Sequence, residues 1–262
     1  MTDDPFPPRP AGAPPPPPGG EPPHDPTSRD GRRLRRKGQD PHLERGVDAK
    51  EMWRIFRIIS EYVEAIDGLR EIRPAISVWG SARLQPSHRY YRMARDTART
   101  LATYGYNVIT GGGPGIMEAA NLGAVEGGGK SVGLGIELPK EQALNPHVQI
   151  GIEFDYFFIR KMMFTKFAAG LVVAPGGFGT MDEMFDTLTL IQTRKIRRIP
   201  VVLLGVEFFT PLVAFMRNTM LLEGTISPED LDLWHLTDEP KDAADYLDRH
   251  IVDQTFWTQT MP

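Results

Sequence analysis

The chain has 262 residues, 40% apolar and 24% charged, with a formal charge of −4 and a pI near 5.9. Such a composition describes an ordinary globular chain and gives no overall reason to bind nucleic acid, whose protein partners are usually strongly basic. Zero cysteines exclude a disulfide framework, a thiolate metal site and a thiol nucleophile.

Thirteen of the 24 prolines fall in the first 46 residues. PPRPAGAPPPPPGGEPPHDP followed by GRRLRRK has too little apolar content to bury a core, so residues 1–46 are expected to be a disordered tail. Its cluster of Arg32, Arg33, Arg35, Arg36 and Lys37 reads either as a solvated, solubilising stretch or as a contact for a polyanion. The start lacks the basic and apolar regions of a signal peptide. No apolar run approaches the roughly 18 residues of a membrane span, so a cytoplasmic location with no membrane partner is expected.

Residues 47–262 form the expected folded domain. From Val47 to Leu69 apolar residues recur at spacings of three and four, predicting an amphipathic helix. AISVWG (75–80) is the first predicted strand, followed by a polar helix over 88–104. YNVITGGG (106–113), a helix from Gly115, the strand SVGLGI (131–136) and a loop with Pro139 and Pro146 come next. VQIGIEF (148–154), the segment 156–170, LVVAP (171–175), a helix over 180–194 and IPVVLLG (199–205) continue the alternation. Segments 211–222 and 240–252 read as covering helices. Near-continuous apolar strands alternating with helices predict a doubly wound, Rossmann-like α/β fold with a parallel sheet, in a single domain. About 215 residues give only six or seven strand candidates, too few to close an eight-fold barrel.

In an open parallel sheet, ligands bind beyond the carboxyl ends of the strands. Three glycine-rich turns lie there: Gly80-Ser81-Ala82-Arg83, Gly111-Gly112-Gly113-Pro114-Gly115-Ile116-Met117-Glu118, and Pro175-Gly176-Gly177-Phe178-Gly179-Thr180-Met181-Asp182-Glu183. Glycine lets backbone approach a ligand, and the following helix aims free N–H groups and its positive dipole end at the same point, which suits a phosphate. The alternative is that the glycines only make tight turns. Neither long turn has the G-x-G-x-x-G spacing, and no lysine follows as in a P-loop, so a dinucleotide oxidoreductase and a Walker-type NTPase lose support. A mononucleotide or sugar phosphate fits better. The expected substrate-binding residues are Gly80 and Ser81 in the first turn, Gly112, Gly113, Met117 and Glu118 in the second, and Gly176, Gly177, Gly179 and Thr180 in the third, with Lys161.

Glu183 has two readings. Thr180-x-x-Glu183 matches a capping box, and the same position sets a carboxylate one turn from the phosphate site. Arg160 is either an exposed helix cation or a fixed cation facing the crevice. The residues Met162, Met163, Phe164 and Phe167 are either core or interface.

GGGPGIMEAANLGA (111–124), SVGLGIELPKEQ (131–142), FFIRKMMF (157–164) and PGGFGTMDE (175–183) resemble the LOG family of cytokinin-activating nucleoside 5'-monophosphate phosphoribohydrolases, often labelled lysine decarboxylases. The resemblance spans residues 70–225 and looks more like the bacterial branch than the plant form. It implies cleavage of the N-glycosidic bond of AMP or an N6-substituted AMP to free base and ribose 5-phosphate. It further implies catalytic Arg160 and Glu183, no cofactor, and a homodimer or higher homo-oligomer whose sites borrow residues across the interface. Where the family often has arginine after Ala-Ala-Asn, this chain has Leu122.

Such a cleavage develops oxocarbenium character on the ribose, which a carboxylate at Glu183 can stabilise while orienting water. Arg160 would hold the nucleotide and stabilise charge as it redistributes. No metal is expected, since the six histidines are scattered and none forms a metal-binding spacing. A non-catalytic nucleotide- or phosphorylated-cofactor-binding protein is the alternative. The lysine decarboxylase reading fails on chemistry: pyridoxal phosphate decarboxylases typically carry the Schiff-base lysine directly after histidine, and none of the eight lysines does.

Overall fold

The fold was obtained as a computed structural model, and residues 48–137 and 143–251 are described. The predicted tail, and Pro139 of the predicted loop, lie outside them. In the unit that begins at Ala49, chain order runs α1 (Ala49–Leu69), β1 (Ala75–Trp79), α2 (Arg89–Thr103), β2 (Asn107–Thr110), α3 (Ile116–Glu126), β3 (Ser131–Ile136) and β4 (Ile150–Phe154). It continues with α4 (Phe157–Phe167), β5 (Gly170–Val173), α5 (Phe178–Gln192), β6 (Val201–Leu204), α6 (Val206–Phe215), β7 (His235–Thr237) and α7 (Pro240–His250).

All seven strands are parallel, in the order β4-β3-β2-β1-β5-β6-β7. The near-continuous apolar strands are explained by two cores, one on each face. On β1, Ile76 and Val78 pack with Ala98 and Leu101 of α2, Ala120 of α3 and Leu247 of α7, while Ala75 and Trp79 pack with α1, α4, α5 and α6. Val172 of β5 faces the first group, and Leu171 and Val173 the second. Since both faces are covered, alternation along a strand no longer means apolar against polar. This is the doubly wound Rossmann-like fold that the sequence predicts.

Two local features differ from expectation, and one open reading is decided. A seventh strand, His235–Thr237, pairs with β6; three residues leave no periodic trace. The helix expected from Pro211 begins at Val206, with Pro211 inside it, and runs on as a π-helical turn over Met216–Met220. Of the residues read as core or interface, Met163, Phe164 and Phe167 are buried, whereas Met162 stays 47% exposed. No helix among the described residues is long and apolar enough to cross a membrane.

The strand order reverses between β1 and β5, so the loops after these strands diverge to opposite sides and open a crevice at the carboxyl edge of the sheet.

Candidate active site

Ser81 joins all three glycine turns. Its backbone N–H donates to the Pro175 carbonyl at 3.0 Å, and its own carbonyl accepts from the Ile116 N–H at 2.9 Å. Gly115 adopts φ +71°, and a Cβ there would collide with the Ser81 carbonyl, so only glycine closes this junction. A cleft of about 940 Å³ lies above it. Helix α5 starts at its edge with Gly177 as N-cap and no side-chain cap, which leaves first-turn N–H groups available to an anion; α3 also starts without a side-chain cap, at Gly115, but the N–H of its first residue, Ile116, is taken by Ser81.

The cleft is lined by Gly80, Ser81, Gly112, Gly113, Met117, Arg160, Gly176, Gly177, Gly179, Thr180 and Glu183, which brings together eleven of the thirteen expected residues. Lys161 and Glu118 are not among the lining residues. The helical turn of about 100° per residue points Lys161 away from Arg160, and it pairs with Asp182 of α5 at 2.8 Å. Burial raises the hydroxyl pKa of Tyr91 of α2, and the negative charge of Glu118 adds to that rise.

Gly177 and Gly179 are exposed at the cleft, and a Cβ on either would meet no protein atom within 4 Å. Neither has positive φ. Tight-turn geometry therefore does not account for glycine at these two positions, and each leaves open space beside the cleft.

Helix α5 begins at Phe178, two residues before Thr180. Thr180 is then inside the first turn, not at the cap, so the capping-box reading of Glu183 fails on register. Burial in the cleft pushes the Glu183 carboxyl up to about 7, while the positive charges of Lys161 and Arg160 act to lower it.

Arg160 is not an exposed cation either. Its Nε donates to the Leu134 carbonyl of β3 at 2.8 Å, and its guanidinium lies over the Phe164 ring at 5.2 Å from the centroid. Burial lowers its pKa, and the Glu183 charge raises it. Arginine remains charged under these conditions.

The second turn is anchored by a buried network that sequence reasoning missed. Asn145 Nδ2 donates to the Gly112 and Gly113 carbonyls, each at 3.0 Å, and to Asn121 Oδ1 at 2.9 Å. Asn121 Oδ1 also accepts from Thr110 Oγ1 at 2.6 Å, and its Nδ2 donates to Ser131 Oγ at 2.8 Å. Asn121 was legible in principle, as a polar residue among alanines in an apolar helix. Asn145, in a loop, carried no such signal. Trp79 and Phe178 also line the cleft without having been singled out, as does Phe164, which the sequence offered only as core or interface. Among the described residues no cluster of histidine and acidic side chains could hold a metal ion.

Comparison with known proteins locates this architecture. The family described as "Possible lysine decarboxylase" matches residues 117–247, half of the chain. The chain belongs to this family, the LOG family. The LOG-family chain is 29% identical over 156 residues to the pyrimidine/purine nucleotide 5'-monophosphate nucleosidase of Escherichia coli, covering 54% of this chain and 34% of that protein. It is 27% identical over 144 residues to the cytokinin riboside 5'-monophosphate phosphoribohydrolase LOG of Oryza sativa subsp. japonica, covering 53% and 58%. The match thus spans less than two thirds of either relative. An X-ray structure of a structural-genomics target superposes with a TM-score of 0.52 at 24% identity, over 67% of this chain and 98% of that one, which shows the shared fold.

Proposed function

We propose that the protein is a cytoplasmic nucleoside 5'-monophosphate phosphoribohydrolase that cleaves the N-glycosidic bond of AMP or an N6-substituted AMP, releasing free base and ribose 5-phosphate. The observation that carries this reading is the presence of Glu183 and Arg160 together on the walls of one cleft, beside the N-terminus of α5, which has no side-chain cap. A purely binding protein has no use for a carboxylate beside an anionic ligand, where it weakens affinity. The names of the relatives support the same general reaction.

In this reading the 5'-phosphate sits against the first turn of α5 at Gly177, Gly179 and Thr180, where free N–H groups and the helix dipole favour a dianion. Phosphate held there positions the ribose for cleavage. Glu183 lies farther along the same helix. Ionised, it stabilises the oxocarbenium-like ribose and orients water for attack at C1'. Arg160, fixed by Leu134 and Phe164, stabilises negative charge on the departing base or the phosphate.

A homodimer or higher homo-oligomer is also proposed. It is supported by exposed apolar side chains on α1, with Trp53 68% and Phe56 55% exposed, and on α4, with Phe157 58% exposed.

The test is product analysis by chromatography after incubation with AMP, GMP, CMP and N6-isopentenyl AMP, beside adenosine. Release of free base from a monophosphate, with adenosine a poor substrate, is the expected result. Equal kcat/KM for adenosine and AMP removes the phosphate site, and no base release from any monophosphate removes the enzyme.

A further inference from the structure

Trp79 ends β1 at the centre of the sheet, where the strand order reverses, and lines the cleft. Strand alternation turns its indole toward α4 and α5, the helices that carry Arg160 and Glu183. The indole meets Phe164 edge to face, with ring centroids 5.9 Å apart and an interplanar angle of 83°, and Phe164 in turn carries the Arg160 guanidinium. Trp79 is only 4% exposed. Its Nε1 is buried and, among the described residues, donates to no protein atom.

Packing explains the ring and leaves the N–H unexplained. A phenylalanine would make the same edge-to-face contact without a polar atom, and a buried tryptophan N–H normally finds an acceptor. An unpartnered donor in an apolar wall carries its full desolvation penalty. Trp79 lines the ligand cleft, and its donor, which has almost no exposed surface of its own, is accounted for if ligand binding turns the indole edge onto an acceptor that arrives with the ligand.

We infer that the Trp79 indole N–H is a ligand-contacting donor of this site. It hydrogen-bonds an acceptor atom of the bound nucleotide, or the water delivered to C1'. The inference rests on the reading of the cleft as a nucleotide site. It adds a neutral donor on the wall formed by β1, separate from the glycine turns and from the Arg160 and Glu183 pair.

The test uses the full chain with Trp79→Phe and, separately, with the benzothiophene analogue of tryptophan placed at position 79, which keeps the bicyclic shape and lacks the N–H. Calorimetric affinity for AMP and for ribose 5-phosphate is measured together with kcat and KM for AMP. The analogue is expected to melt no lower than the wild type, because no existing hydrogen bond is lost. It should weaken AMP binding or lower kcat/KM about tenfold, the usual effect of leaving one buried polar partner unpaired. Equal weakening of AMP and ribose 5-phosphate puts the acceptor on the sugar phosphate. Weakening of AMP alone puts it on the base, and a fall in kcat alone puts it on the water.

Wild-type affinity and turnover in the analogue overturn the inference even if Trp79→Phe is impaired, since volume and not the donor then matters. A wild type that binds AMP without cleaving it overturns the proposed reaction and leaves the affinity comparison decisive for Trp79. A wild type that neither binds nor cleaves AMP overturns both.

Discussion

The space that a side chain at Gly111 would occupy is filled by the guanidinium of Arg160: a Cβ built on Gly111 collides with it and with the Met117 sulfur. The first glycine of the second turn is thus a seat for the arginine that α4 delivers from across β3. Gly111→Ala should leave the fold intact and displace the guanidinium by about 1 Å, which costs on the order of 100-fold in kcat/KM where positioning matters. Steady-state kinetics alongside far-ultraviolet circular dichroism checks this. Unaltered kinetics would mean that Arg160 tolerates relocation and has no fixed role.

Gly179→Ala separates stability from binding. The position lies in the first turn of α5, exposed and clear of protein atoms, so alanine should raise stability by about 0.5–1 kcal/mol through lower unfolded-state entropy and better helix propensity. The same methyl intrudes where phosphate would approach, and AMP affinity should fall about tenfold or more. Thermal unfolding paired with calorimetric AMP binding reads both. A stabilised variant with wild-type affinity would move the phosphate elsewhere.

Glu183→Gln decides between enzyme and binder. Loss of the carboxylate should lower kcat about 100-fold or more, near 2.7 kcal/mol of transition-state stabilisation. AMP affinity should hold or improve, because a negative charge leaves the anion site. With kcat unaltered, the catalytic role of Glu183 is gone.

The Glu183 carboxyl, raised by burial from 4.5 to about 7, predicts a pH signature in both activity and stability. If the ionised form acts, kcat/KM falls as pH drops below about 7, and Glu183→Gln lacks that limb. For stability the sign is opposite. The folded state holds this proton more tightly than the unfolded state, so the favourable contribution is full below 4.5 and is lost as pH rises through about 7. Relative to the wild type, Glu183→Gln should therefore gain stability above pH 7 compared with pH 4.5, by on the order of 1–2 kcal/mol, read as a melting temperature that rises more above pH 7. Melting curves of both proteins across this range measure it, and a pH-independent difference would refute the raised pKa.

Asn145→Ala removes the side-chain donor to Gly112, Gly113 and Asn121; the Gly112 carbonyl keeps the Asn145 backbone N–H and Asn121 Oδ1 keeps the Thr110 hydroxyl, while the Gly113 carbonyl loses this bond. A loss of about 1–2 kcal/mol in denaturant unfolding is expected, with a raised KM as the second turn loosens. A stability change under 0.5 kcal/mol would show that the network is not limiting.

Sequence alone determined the fold class, because apolar strands and helices alternate with enough regularity that both periods are visible, and it located all three turns through glycine runs at strand ends. It also singled out Arg160 and Glu183, through motifs that are local in the chain. What it could not decide are relations between segments distant in sequence. The register of α5, set by where the helix starts at Phe178, excluded the capping box that local spacing allowed for Glu183. The hydrogen bond to Leu134 and the space at Gly111 show why Arg160 is a fixed, part-buried cation, while the one-residue step to Lys161 turns that side chain onto Asp182. Asn145, 33 residues from Gly112, and Trp79, 85 residues from Phe164, join the site only because the parallel crossovers bring the carboxyl ends of β1, β2, β3 and β5 to one edge of the sheet. Such contacts are set by the three-dimensional path of the chain and leave no periodic pattern in the residues that make them.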